Sequence, residues 1–199
     1  RGAVLRFWQG LGYNRRALML HRAARIIVRR FGGAIPRSEE ALKSLPGVGS
    51  YTASAVLTFA FDEPVTLIET NIRSVFLRHF FPNAWRVPDD RILPLVAATL
   101  DRAHPRRWYS ALMDYGSILK RTGANPSRRS AHYVRQAPFR GSRREVRGVL
   151  LSFATRARSF STARAIREVG RDARLVRACL AALTREGFLA ARGGRFRLK

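Results

Sequence analysis

Cysteine, lysine, acidic residues and long apolar runs are all scarce in this chain, and each shortage removes a class of protein. One cysteine, Cys179, excludes an internal disulfide and any zinc or iron–sulfur centre built from several thiolates. Such usage fits an intracellular, cytoplasmic protein, nucleoid-associated if prokaryotic. No apolar run approaches membrane-spanning length and no charged-then-apolar leader is visible, so neither a span nor a secretory signal is expected. The four histidines, His21, His79, His104 and His132, lack metal-ligand spacing. Acids number 13 against 38 Lys+Arg, which leaves a net charge of +25. A chain so basic is matched to a polyanion, with nucleic acid the leading partner. Only Lys43, Lys120 and Lys199 are lysines, so 35 of the cations are arginines, the side chain suited to bidentate phosphate contacts.

What is present is a core and a strong helical rhythm. With 199 residues and 46% apolar content, one or two domains can form. Residues 14–30 place Leu18, His21, Ile26 and Val28 among arginines, a basic amphipathic helix ending at Phe31-Gly32-Gly33. SEEALKS offers Ser38 as N-cap with Glu39 and Glu40 in the first turn. The apolar stretch Tyr51 to Phe61 has no polar face and reads as a buried central helix, stopped at Asp62-Glu63-Pro64. Further helices are expected near 70–80, 89–103 and 107–120. Residues 121–141, with Pro126, Pro138 and clustered arginines, read as a linker or wrapping arm. The chain opens on RGAVLRFWQGLGY, which reads as mid-domain sequence, so a preceding N-terminal segment is expected.

From Ser142 the pattern resets. Helices are expected at 142–154, 162–169 and 172–186, the last with a stripe of Leu175, Val176, Cys179, Leu180 and Leu183. FLAARGGRFRLK alternates around Gly193-Gly194 as a hairpin does. Three helices and a two-stranded ribbon suggest a winged helix-turn-helix, with Arg174, Arg177, Arg192, Arg195 and Arg197 positioned for DNA. The competing reading is a helical brace with an exposed ribbon.

LPGVGSYTASAV, Leu45 to Val56, joins two helical patterns through Gly47-Val48-Gly49. A tight turn of this kind leaves backbone N–H groups and the next helix's N-terminus facing outward, where they can hold a phosphate.

This stretch resembles the helix-hairpin-helix of base-excision DNA glycosylases related to endonuclease III and the adenine mismatch glycosylases. FWQGLGYNRRALMLHRAA, PVTLIETNIRSVFLRHF and WYSALMDYGSIL resemble further blocks of that family in the same order, with the adenine mismatch branch the better match through WQGLGY and ALMDYG. The resemblance covers residues 1–120 and implies an all-α glycosylase domain there, followed by linker 121–141 and the winged-helix-like domain 142–199. It implies contacts to duplex DNA from Leu45, Gly47, Val48, Gly49 and Ser50. With no metal expected from side chains, the resemblance implies a monovalent cation site at the backbone carbonyls of Lys43, Leu45 and Val48. Arg73, Arg128 and Arg129 are further expected DNA contacts, with Arg174, Arg177 and Arg195 from the tail. The protein is expected to act as a monomer.

The resemblance places Glu69 of LIETNIR at the family's catalytic aspartate. A carboxylate there suits a reaction that develops oxocarbenium character. Helix capping is the plainer role for the same residue. Bifunctional relatives carry a Schiff-base lysine two residues after the second hairpin glycine, and this chain has Tyr51, which implies a monofunctional enzyme. Tyr51 either lines the pocket for the flipped base or packs in a core. Many relatives hold an iron–sulfur cluster with four cysteines after the MDYG-like block. Lys120 and NPSRRSAHYVRQ stand there, so no cluster and no other cofactor are expected. The general acid of adenine-specific relatives lies upstream of this sequence. Trp8 and Tyr13 are expected to pack as core aromatics rather than stack on bases. The expected activity is release of a damaged or mispaired base, adenine first. A thymine or uracil mismatch glycosylase and an inactive lesion-binding protein are the alternatives.

Overall fold

The computed structural model describes residues 2–123 and 125–199, so Arg1 and Ala124 lie outside the described residues. The chain is mostly helical. It runs α1 (Gly2–Phe7), α2 (Arg15–Arg30), α3 (Glu39–Lys43), α4 (Ser50–Phe61), α5 (Thr70–His79), α6 (Asp89–Thr99), α7 (Pro105–Thr122) and a 3-10 helix, Pro126–Arg129. Then come α8 (Arg143–Arg156), β1 (Phe160–Ser161), α9 (Thr162–Val169), α10 (Ala173–Arg185), β2 (Leu189–Arg192) and β3 (Arg195–Leu198).

These elements form two compact units, one of residues up to Arg25 with Gln136–Lys199 and one of Ile26–Arg135. The division differs from the one expected at residues 120 and 142. Its cause is burial: Leu5, Ala17 and Leu18 share one apolar core with Val146, Leu150, Leu151, Phe160, Leu180 and Phe188. Local periodicity marks each stripe but not which stripes meet.

In the Ile26–Arg135 unit, the central helix is α5, not α4. Ile72, Ser74, Val75, Phe76 and Leu77 of α5 are all buried, against neighbours that include α6, α7 and the 3-10 helix. Helix α4 buries only Ala53, Leu57 and Thr58. Its uniformly apolar sequence concealed the narrow line that packs. Helix α7 starts at Pro105, the favoured first position, after Asp101 Oδ1 has accepted the amides of Ala103 and His104.

The segment expected to be an unpacked linker or wrapping arm is partly packed. Pro126, Ser127 and Ser130 are buried, and Val87 and Ser130 form an isolated parallel bridge. The anchor is Arg129, whose guanidinium donates to the carbonyls of Leu77 at 2.8 Å, Phe81 at 2.6 Å and Pro82. Carbonyls at a helix end lack intrahelical donors, and a five-donor guanidinium suits them.

In the other unit, side-chain caps start each of the last three helices: Ser142 on Glu145 N, Ser161 on Arg164 N, and Asp172 on Leu175 N. The ribbon pairs Leu189 with Leu198 and Arg192 with Arg195 around Gly193 and Gly194. Both glycines have positive φ, as a two-residue hairpin turn demands. A third strand, Phe160–Ser161, joins β3, giving an antiparallel sheet in the order β1-β3-β2. Two residues of strand carry no readable alternation. Trp8 packs against this core and donates its Nε1–H to Gly12 O at 2.8 Å. Tyr13, expected in a core, is 65% exposed, and its hydroxyl accepts from Gln136.

Candidate functional site

The hairpin is built as its glycines require. Ser38 Oγ caps α3, and Val48 N donates to Leu45 O at 3.2 Å, closing the turn with Gly47 at φ +81. Gly49 is the N-cap of α4 and brings no side-chain acceptor to the first amides of that helix. Nothing lies within 4 Å of where a Gly49 Cβ would sit. Gly47, Gly49 and Ser50 are exposed and Val48 half-buried, so the turn offers open backbone to an anion. Leu45 is only 4% exposed. Its side chain anchors the turn in the core, and its carbonyl accepts from Val48 N.

Tyr51 stands on the first turn of α4 and is 47% exposed, which removes the core reading for its ring.

Glu69 is the N-cap of α5. Its Oε1 accepts from Asn71 N at 2.5 Å and Ile72 N at 2.9 Å, so the capping role is realised. Oε2 has no hydrogen-bond partner among the described residues. The carboxylate is therefore pinned by one oxygen at the positive end of the helix dipole and open at the other.

Two residues of α7 fix where that cap lies. Tyr109 is fully buried, its hydroxyl accepting from Leu67 N at 3.0 Å and donating to Val65 O at 3.1 Å, which holds the extended segment leading to Glu69. Burial pushes its phenol above the usual tyrosine range, so the proton stays available to Val65. Gly116 lies against the backbone of Asn71, two residues past the cap. Asn71 Oδ1 is buried without a hydrogen bond among the described residues. Tyr109 and Gly116 escaped sequence reasoning. A glycine inside an expected helix was the readable sign of close approach.

Several expected DNA contacts are engaged elsewhere. Arg73 donates Nε and Nη2 to the two oxygens of Asp89, each at 2.7 Å, with only 13% of its side chain exposed. Arg129 is spent on the carbonyls at the end of α5. Charge alone nominated both, because sequence does not reveal a distant acceptor. Arg128, Arg174 and Arg177 are exposed. Arg195 is exposed and donates to Ser159 Oγ at 3.1 and 3.0 Å.

The one cysteine of this chain, Cys179, is buried in an apolar core and its thiol is pushed up by burial. No group of three or more His, Cys, Asp or Glu side chains among the described residues can hold a metal ion. None of their helices is long and apolar enough to cross a membrane.

Residues 30–59 match the family model described as the helix-hairpin-helix motif. The chain is 37% identical over 165 residues to an adenine DNA glycosylase of Mycolicibacterium smegmatis, covering 74% of this chain and 56% of that protein. It is 36% identical over 182 residues to an adenine DNA glycosylase of Mycobacterium tuberculosis, covering 81% of this chain and 59% of that protein. A thymine/uracil-DNA glycosylase of Methanothermobacter thermautotrophicus is 39% identical over 67 residues, 34% of this chain and 30% of that protein. The chain thus spans somewhat under three fifths of the mycobacterial relatives. The chain carries the helix-hairpin-helix motif and has adenine DNA glycosylases among its homologues.

Proposed function

We propose that this chain carries the base-releasing centre of a monofunctional DNA glycosylase acting on duplex DNA, with adenine in a mismatch as the preferred base. The observation that carries the reading is the half-engaged Glu69 carboxylate, capped through Oε1 with Oε2 unoccupied by any described residue. Breaking an N-glycosidic bond develops positive charge on the sugar. A fixed carboxylate beside it stabilises that charge and either directs water or traps the sugar transiently. The base must first leave the stack, and the hairpin's open backbone supports this by holding a flanking phosphate. Tyr51 stands where the lyase relatives carry lysine, so no imine forms and the product is an abasic site. No cofactor takes part. The α8-β1-α9-α10-β2-β3 order and its antiparallel sheet support a winged helix presenting Arg174 and Arg177 of α10 to DNA.

Adenine preference is supported by the mycobacterial relatives. Similarity to the thymine/uracil-DNA glycosylase supports a mismatched pyrimidine as the second reading. The test is a panel of duplexes with single mismatches or lesions, treated with alkali after incubation to cut at abasic sites. Cleavage at adenine opposite a damaged or mispaired partner supports the first reading, cleavage at thymine or uracil the second. Duplex binding without base release at any site would leave a binding protein.

A further inference from the structure

We propose that the cleft beside the start of α5 is a binding site for one backbone phosphodiester of DNA, adjoining Glu69. The proposal rests on the reading of this chain as a DNA glycosylase. The cleft has a volume of about 290 Å³ and its walls include Thr70, Arg73, Lys120, Ser127, Ser130 and His132. No acidic side chain lines it.

Charge accounting selects the ligand. Arg73 is neutralised by Asp89, whose Oδ2 also stands 3.8 Å from His132 Nε2. Lys120 forms no ion pair among the described residues. The cleft therefore keeps one uncompensated positive charge, which matches the single negative charge of a phosphodiester. Two hydroxyls complete a polar wall. Ser127 is 3% exposed and donates Oγ–H to Asn125 Oδ1 at 2.7 Å, while Ser130, 6% exposed, accepts from His132 N at 3.0 Å and retains its own proton to give. The free Ser130 hydroxyl proton beside an unpaired ammonium suits a phosphate oxygen. Thr70 follows Glu69 directly in the chain. A phosphate held there fixes the register of the nucleotide presented to that carboxylate, as backbone contacts do.

The experiment measures duplex affinity against salt for the wild type, Lys120→Gln and Lys120→Arg. Each is paired with duplexes carrying one neutral methylphosphonate at successive positions. In Lys120→Gln the log–log salt slope should fall by about 0.9, and affinity at 0.1 M salt by about eightfold. One methylphosphonate position that weakens the wild type should cost Lys120→Gln nothing further, and Lys120→Arg should keep both slope and position. An unchanged slope with every methylphosphonate cost intact overturns the proposal, as does a response to inorganic phosphate alone. A wild type that binds no duplex would instead remove the glycosylase reading on which the proposal stands, so the two failures are told apart.

Discussion

Gly116 of α7 sits so close to Asn71 of α5 that a Cβ at residue 116 would stand 2.6 Å from the Asn71 carbonyl carbon. Backbone meets backbone there, and neither side can swing away. The start of α5, and with it the Glu69 cap, takes its position from a helix whose Gly116 comes some fifty residues later.

Gly116→Ala tests this contact through its sign. Alanine in a helix interior usually stabilises by about 0.5–1 kcal/mol relative to glycine. Here overpacking should instead cost about 1–3 kcal/mol, because α5 must shift. Urea unfolding reads the stability. Base release should fall with it, since Glu69 moves with Asn71.

Tyr109→Phe keeps the buried ring and removes the hydroxyl that serves Leu67 N and Val65 O. Stability should drop by about 1–3 kcal/mol for the unsatisfied backbone groups. The rate of base release at saturating enzyme should fall more than duplex affinity does, because the loosened segment delivers Glu69 rather than DNA contacts. Equal losses in both would make Tyr109 a general packing residue.

Arg129 and Arg128 are neighbours with opposite expected phenotypes. Arg129→Met frees the carbonyls of Leu77, Phe81 and Pro82 and should lower the melting temperature by several degrees with an unchanged salt slope of binding. Arg128→Ala should leave melting unchanged and reduce the slope by about 0.9 where it meets a phosphate.

Acid should destabilise the site's surroundings through Asp89. The Arg73 hydrogen bonds hold its carboxyl below the usual aspartate range, helped by the charges of Arg73 and His132 and opposed by burial. A carboxyl depressed in the folded state contributes its full stability above the unfolded value, about 3.9, and loses it as pH falls through the folded value. Urea midpoints should therefore decline below about pH 4, and in Asp89→Asn that part of the decline should vanish.

Much of this architecture was readable from local chemistry. Ser38 announced its helix because capping is a contact across three residues, and the Gly193-Gly194 turn is equally local. Glu69 was placed before a helix start for the same reason. What escaped was long-range. Nothing near Leu5 says that it packs with Phe160, and nothing near Arg129 names the carbonyls of Leu77 and Phe81. Charge counting promoted Arg73 and Arg129 to DNA contacts when both hold the fold together. Apolar content promoted α4 to the core, although α5 occupies it, because burial depends on the neighbours a helix meets.

Glu69→Gln tests the central claim most directly. The amide keeps the size and can still cap Asn71 N and Ile72 N, while the anion facing the sugar is lost. In single-turnover assays on the duplex that the wild type processes, base release should fall by about 100-fold or more, the scale of losing one preorganised electrostatic group. Duplex affinity should hold or rise, as one negative charge near the backbone is removed. Base release at the wild-type rate, with affinity and melting unchanged, would contradict the account and leave Glu69 as a helix cap alone.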